Sequence, residues 1–139
     1  NLLKDNLESE LFNVLKTAQE KLIIISPFMN LSNTVKLVDI INNNSIDCTV
    51  ITRFERKLFI ENAHSLDALK LLLSNNVEVL ALQNLHSKIY LVDYQQCFAG
   101  SANFTTKGLN INHEILIHFD NQEVDQFNKY VNLRDIYEK

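Results

Sequence analysis

Residues that interrupt regular structure are scarce in this chain: its 139 residues include two glycines and one proline. Linkers and low-complexity tracts are built from such residues, so the composition excludes them and favours regular elements with short connections. Cysteine is as scarce, at Cys48 and Cys97. Both lie in apolar runs, CTVIT and CFAG, which reads as two buried small side chains and not a disulfide. Without a CxxC or HExxH pattern, two cysteines cannot supply a zinc site of the usual kinds. A basic excess is also missing, the net charge being −4. Broad nucleic-acid surfaces gain affinity by neutralising phosphates and releasing counterions, so a phosphate site here has to be a local basic pocket on an acidic body. No run approaches the roughly 18 apolar residues of a membrane span, and no signal-peptide pattern occurs. Residue 1 is Asn and not Met, so a processed or excised piece is expected. A cytoplasmic location is expected too, with secretion or a periplasmic location left open by the missing native N-terminus.

What is present is apolar and periodic. Hydrophobic residues make up 46% of the chain, enough for the core of one domain over residues 1–139, alone or within a larger parent. Residues 2–19 place Leu3, Leu7, Leu11, Val14, Leu15 and Ala18 on one helical stripe. Lys21–Ser26 (KLIIIS) reads as a strand buried on both faces, ended by Pro27. A helix over 31–42, with Leu31, Val35, Leu37, Val38 and Ile41 inward, leads to a second buried strand, Asp47–Thr52. A helix over 64–74 leads to a third, Val77–Leu82. This alternation predicts parallel strands with right-handed crossovers. Lys88–Asp93 and Gln96–Ala99 follow with almost nothing between them, which predicts an antiparallel hairpin. A strand over Glu114–Phe119 and a helix over 121–137 complete the reading. The expected fold class is α/β, a mixed sheet flanked by helices on both faces.

The chemistry concentrates in HSKIYLVDYQQCFAGSAN, residues 86–103: His86-x-Lys88, four residues, Asp93, six residues, then Gly100-Ser101-x-Asn103. Taken singly, each has an ordinary explanation: a polar strand end, a turn, a hairpin-entry carboxylate. Taken together, six fixed identities arise by chance at about one in 10⁷–10⁸ starting points. Folding the hairpin about a centre between Tyr94 and Gln95 sets Lys88 opposite Ser101 and His86 opposite Asn103, gathering all four at one end. If this strand runs antiparallel to the third strand, Val77–Leu82, that end lies at the carboxyl edge of the parallel strands, where open α/β sheets bind ligands. An imidazole is a nucleophile at neutral pH, a lysine ammonium attracts phosphate oxygens, and amide and hydroxyl donors stabilise developing charge.

This pattern resembles the HKD signature of the phospholipase D superfamily, HxKxxxxDxxxxxxGSxN, at every fixed position, and the resemblance implies a phospholipase D-like fold. It further implies that Glu114, at the start of the last strand, hydrogen-bonds the nucleophilic His86, as an acidic residue there does in superfamily members. A chain with one motif is similar to the small single-motif nucleases, which dimerise so that two motifs form one site. The implied mechanism is metal-independent and needs no cofactor: one His86 forms a phosphohistidine, and the partner's protonates the leaving oxygen and then activates water. Lys88 and Asn103 hold the phosphoryl oxygens, Ser101 and Glu114 support the site, and Asp93 is a structural member that steadies the hairpin or dimer. Arg53, Arg56, Lys57 and Lys107 are candidate substrate contacts at the same edge, each equally readable as a solvated loop cation. His64, His113 and His118 read as structural, and Ser26-Pro27-Phe28 as a strand terminus. The expected partners are nucleic acid, DNA first and RNA second, and a second copy of the chain. A phospholipase D-type lipid hydrolase or transferase, and a dimerisation or nucleic-acid-positioning domain of a larger protein, are the alternatives. DNA, RNA and lipid are not distinguished by the sequence.

Overall fold

The computed structural model describes residues 1–60, 64–120 and 122–133. In chain order the elements are β1 (Leu2–Leu3), α1 (Leu7–Leu15), β2 (Lys21–Ile25), α2 (Leu31–Asn44), β3 (Asp47–Thr52), α3 (Arg56–Ile60), α4 (Leu66–Ser74), β4 (Glu78–Ala81), β5 (Ile89–Val92), β6 (Gln96–Gly100), a π-helical turn (Lys107–Ile111), β7 (Leu116–Asp120) and α5 (Gln122–Leu133). The strands form one mixed sheet in the order β1-β7-β6-β5-β2-β3-β4. β2, β3 and β4 are parallel, whereas β5, β6, β7 and β1 are joined by antiparallel pairings.

Alternation along the strands feeds two cores. Leu22 and Ile24 pack with Val50, Tyr90 and Phe98 beneath α1, α2 and α4. Ile23 and Ile25 pack with Ile51, Leu91 and Cys97 against Val124 and Val131 of α5. Strands buried on both faces read as continuous apolar runs because neither face meets water. Asn30 accepts from the Asn33 N–H (3.3 Å) and caps α2, and Ser65 accepts from the Ala68 N–H (3.1 Å) and caps α4. Cys48 and Cys97 are separate, buried thiols, pushed up to about 12 by burial.

Several expectations are corrected. The first helix begins at Leu7, because Asn6 takes a left-handed conformation (φ 55°) and breaks the stripe. Leu2 and Leu3 instead extend the sheet beside Ile117 and Leu116. Leu31 and Val35 are exposed (43% and 44%), and Asn33, Thr34 and Ile40 join Leu37, Val38 and Ile41 inside. Residues 56–60 form a short helix where a loop was expected. The helix expected over 121–137 is described over 122–133, and its remainder lies outside the described residues.

The hairpin register also differs by one residue. Asp93 and Tyr94 both have positive φ (52° and 58°), and the Gln95 N–H closes on the Val92 carbonyl (2.9 Å). The loop is therefore Asp93–Gln95, centred on Tyr94, and Val92 pairs with Gln96 and Ile89 with Ala99. Lys88 consequently sits opposite Gly100, whose N–H reaches the Lys88 carbonyl (3.4 Å), and not opposite Ser101.

Asp93 fastens the hairpin tip to the segment entering β2. Its carboxylate accepts the backbone N–H groups of Gln19 (2.9 Å), Glu20 (2.8 Å) and Lys21 (2.9 Å). Partial burial opposes its ionisation, but those three donors outweigh it and hold the carboxyl below its ordinary 3.8. Asp93→Ala is expected to cost about 1–3 kcal/mol of stability, at the lower end because water reaches the site. A carboxyl depressed on folding stabilises fully above its unfolded-state pKa and loses that contribution as pH falls through the folded value. The gap between wild type and variant in urea titrations should therefore be constant above about pH 5 and shrink below it. A gap that grows on acidification would refute the assignment.

Candidate functional site

The site is assembled by register. Ile25 of β2 pairs with Ile89 of β5, so Lys88 lies beside Ser26 where β2 ends. Gly100 pairs with Leu116, and one residue on the Ser101 N–H donates to the Ile115 carbonyl (3.0 Å). The end of β2, the start of β5, the end of β6 and the start of β7 thus meet at one edge, the carboxyl edge of the parallel strands. His86, Lys88, Ser101, Asn103 and Glu114 all belong to chain segments at that edge, as the sequence predicts. β5 reaches it as the antiparallel neighbour of β2, the first parallel strand, and does not pair with the third, β4.

His86 is exposed and Lys88 partly buried. Among the described residues neither side chain has a hydrogen bond or ion pair, so both are available to a ligand. Ser101 acts first as a strap: its Oγ accepts the Ile115 N–H (3.1 Å), closing β6 onto β7, while its own proton stays available. Glu114 accepts from the Asn112 amide (3.4 Å) and not from His86, so the expected carboxylate–imidazole bond is not made within this chain.

Both glycines of the chain serve this edge, by close approach and not by unusual backbone angles. A Cβ on Gly100 would lie 2.2 Å from the Ile115 carbonyl oxygen, and one on Gly108 would lie 2.4 Å from that of Asn103. Gly100→Ala must push β7 off β6 and strain the Ser101 strap. A loss of about 2–4 kcal/mol in urea unfolding is expected, with loss of activity at equal folded fraction. A fully stable, active variant would show that the gap is not needed.

The sequence reading missed the scaffold behind Asn103. Ser26, fully buried, accepts the Phe104 N–H at its Oγ (2.9 Å) and lies 3.5 Å from Asn103 Oδ1. The Tyr90 hydroxyl, also fully buried, donates to the Ala102 carbonyl (2.6 Å), and burial above all raises its pKa. His64 is the centre of a second network: its Nδ1 accepts from the Met29 (3.0 Å) and Ser65 (3.2 Å) N–H groups, and its Nε2 meets Thr52 Oγ1 (3.0 Å). Thr52 in turn donates to the Pro27 carbonyl (3.1 Å). This pattern fixes the tautomer with the proton on Nε2. Burial lowers the imidazole pKa, against backbone hydrogen bonds to Met29 and Arg53. Buried Ser, Tyr and His leave no periodic signal, since each is compatible with an apolar run; only pairing shows what they hold.

The candidate substrate cations divide. Arg53 is engaged by Glu55, at 2.5 and 3.2 Å to one carboxylate oxygen. Arg56 and Lys57 stand on α3 with exposed side chains. Lys107 is exposed and lines a cleft of about 570 Å³ with Phe28, Asn30, Ser65, Asn103 and Thr106. A larger groove, about 800 Å³ between α1 and α2, holds the Glu8–Lys36 ion pair and no motif residue. Of the motif residues, Asn103 lines the smaller cleft. His118 stacks on Phe98 (4.3 Å) and bonds Gln96 (3.0 Å), as a structural residue should. Among the described residues no group of three or more His, Cys, Asp or Glu side chains is placed to hold a metal ion, and no helix is long and apolar enough to cross a membrane.

The fold is similar to that of NucT from Helicobacter pylori, with a TM-score of 0.80 and 18% identity over 99% of this chain and 94% of that one. It is similar to Nuc, a phospholipase D family member from Salmonella typhimurium, with a TM-score of 0.78 and 15% identity over 99% and 93%. TrmBL2, an archaeal chromatin protein with a novel mode of DNA binding, matches at a TM-score of 0.65 and 12% identity over 95% of this chain and 50% of that one. No curated protein sequence matches the chain. Residues 11–133 match the family described as "Cardiolipin synthase, PLD-like domain". With that match across most of its length and the same mixed-sheet fold, the chain belongs to the phospholipase D superfamily as a PLD-like domain.

Proposed function

We propose that this domain is a metal-independent phosphodiesterase, acting on nucleic acid, that works as a homodimer. One observation carries the reading: His86, Lys88, Ser101, Asn103 and Glu114 arrive from three chain segments at one sheet edge, with the imidazole and ammonium groups unengaged. An imidazole nitrogen of one His86 attacks phosphorus and the bond to the leaving oxygen breaks. The other His86 protonates that oxygen. It then takes a proton from water, whose oxygen displaces the first imidazole and releases the phosphate monoester. Lys88 and Asn103 neutralise and hold the non-bridging oxygens. One chain supplies one His86, so the site is complete only with a second copy. Ile111 and Ile115, exposed (66% and 43%) on either side of Glu114, support self-association there. Lys107 contacts the substrate backbone from the adjoining cleft, and Arg56 and Lys57 from α3. Arg53 does so only after leaving Glu55.

The test is incubation of the purified domain with DNA, RNA and phosphatidylcholine vesicles in excess EDTA, with sedimentation run in parallel. Nucleic-acid cleavage that survives EDTA, by a dimer, is expected. The local donors are the reason to expect that outcome: Asp93 is consumed at the opposite end of the hairpin, which leaves Glu114 as the one motif-region carboxylate at the edge, beside two Lys88 cations in the proposed dimer. Cleavage that stops in EDTA and returns with Mg²⁺ would overturn the mechanism. Choline release without nucleic-acid cleavage would move the substrate to lipid, and full activity in a monomer would remove the two-chain site.

A further inference from the structure

We propose that Ser26 and Tyr90 are positioning residues for Asn103: two buried hydroxyls that fix the peptide groups on both sides of it and so set where its amide side chain stands. The inference rests on the phosphodiesterase reading for what Asn103 does, but its geometry stands separately.

Asn103 is flanked by the 102–103 and 103–104 peptides. The first is held at its carbonyl by the Tyr90 hydroxyl (2.6 Å), and the second at its N–H by Ser26 Oγ (2.9 Å). Asn103's own carbonyl accepts the Thr105 N–H (2.8 Å), and Gly108 packs so closely on the Asn103 backbone that no Cβ fits. The backbone dihedrals of Asn103 are therefore determined from both sides. Ser26 also donates to the Phe28 carbonyl (2.8 Å), which ties the loop after β2 to the same hydroxyl. Asn103 Oδ1 lies 3.5 Å from the same hydroxyl, the long limb of a bond whose proton goes chiefly to Phe28, so the hold on the side chain comes mainly through its backbone. Asn103 lines the cleft, and its amide carries the two N–H donors that a phosphoryl oxygen would take.

The orientation matters because an asparagine amide has two ends of opposite polarity. Turned one way it offers N–H donors to a phosphoryl oxygen; turned the other it offers a carbonyl oxygen, which repels it. A fully buried hydroxyl costs free energy unless it is hydrogen-bonded, and here both hydroxyls spend their bonds on the peptide groups that flank Asn103. Had they served only to satisfy backbone groups, removing them would lower stability and leave the surviving folded enzyme with ordinary turnover.

Ser26→Ala and Tyr90→Phe, each alone and each combined with Asn103→Ala, separate the two cases. Kinetics on bis(p-nitrophenyl) phosphate and the side-chain NH₂ signals of Asn103 in ¹⁵N–¹H spectra are the readouts. Each single variant is expected to lower kcat by about 10–100-fold with KM within about threefold, since a mispointed donor loses much of what a deleted one would. In the Asn103→Ala background the same changes should lower kcat by no more than about twofold. The Asn103 NH₂ signals should move toward solvent-averaged positions, and Ser26→Thr, which keeps the hydroxyl, should restore part of both. Equal losses in both backgrounds, or unmoved signals with unmoved kcat, overturn the proposal. If Ser26→Ala does not fold, Tyr90→Phe removes a single oxygen and decides by the same criteria. A wild type inactive on every phosphodiester would sink the phosphodiesterase reading, while the NH₂ signals still decide the positioning.

Discussion

His86→Ala should lower phosphodiester turnover by at least about 10⁴-fold, the scale on which removing a nucleophile acts, and shift Tm by no more than about 2 °C. The stability half follows from placement. His86 is exposed, lies outside β5, and has no hydrogen bond or ion pair among the described residues. Exposed side chains away from caps, cores and networks change stability little when truncated. The activity half follows from covalent chemistry: without the imidazole no phosphoenzyme forms, and Lys88 and Asn103 retain only binding and charge stabilisation. The proposed dimeric site adds a sharper consequence. When wild type and His86→Ala are unfolded together at equal amounts and refolded, a mixed dimer has one imidazole and cannot complete both steps. About one quarter of the dimers should then be active, against about one half of the wild-type activity if each chain works alone. Turnover, thermal melts and the mixing curve are the measurements, and a folded variant keeping more than a few per cent of wild-type turnover refutes the role of His86.

The architecture was legible where periodicity carried it. KLIIIS and DCTVIT read as strands covered on both faces, and Lys21–Ile25 and Asp47–Thr52 are the two parallel strands that lie inside the sheet and not at its edge. The edge at which the motif gathers was legible too, because a tight hairpin forces its two arms together. The register was not, since Asp93 and Tyr94 both enter the left-handed region and lengthen the loop by one residue. For Tyr94 nothing in the residue type announces it; for Asp93 the turn preference was visible, but its grip on Gln19, Glu20 and Lys21 depends on a contact 72 to 74 residues away. The same limit hid Ser26. It reads as the polar end of a strand, and only the fold shows that the residue bonded to it is Phe104. Glu114 marks the opposite failure: resemblance implies a bond to His86, and within one chain its partner is Asn112.

Lys88→Met is expected to lower kcat/KM by about 10²–10³-fold, a loss typical of removing one group that stabilises transition-state charge, while leaving the fold as stable as before. Lys88 is partly buried next to Gly100 and the end of β2, and among the described residues it has no ion pair. An ammonium group held without an anion contributes nothing to folding and costs some hydration, so methionine, which keeps the stem and drops the charge, should be neutral or slightly stabilising. Its value appears only when a phosphoryl group enters. As the leaving oxygen departs and the imidazole bonds to phosphorus, negative charge concentrates on the non-bridging oxygens, and a cation at this position lowers the barrier more than it tightens ground-state binding. In the proposed dimer two such cations converge on one phosphate, so each variant dimer would lose both. Lys88→Arg keeps the charge but replaces a compact point with a planar fork, and should recover only part of the loss. Two further readouts separate an electrostatic role from a steric one. Orthovanadate should inhibit wild type and bind markedly less well to Lys88→Met. Raising ionic strength should slow wild type more than the variant, because one screened attraction has been removed. A Lys88→Met enzyme within tenfold of wild type, or one with an unchanged salt profile, would show that the charge acts elsewhere and that the edge gathered by β2, β5, β6 and β7 is not the phosphate site.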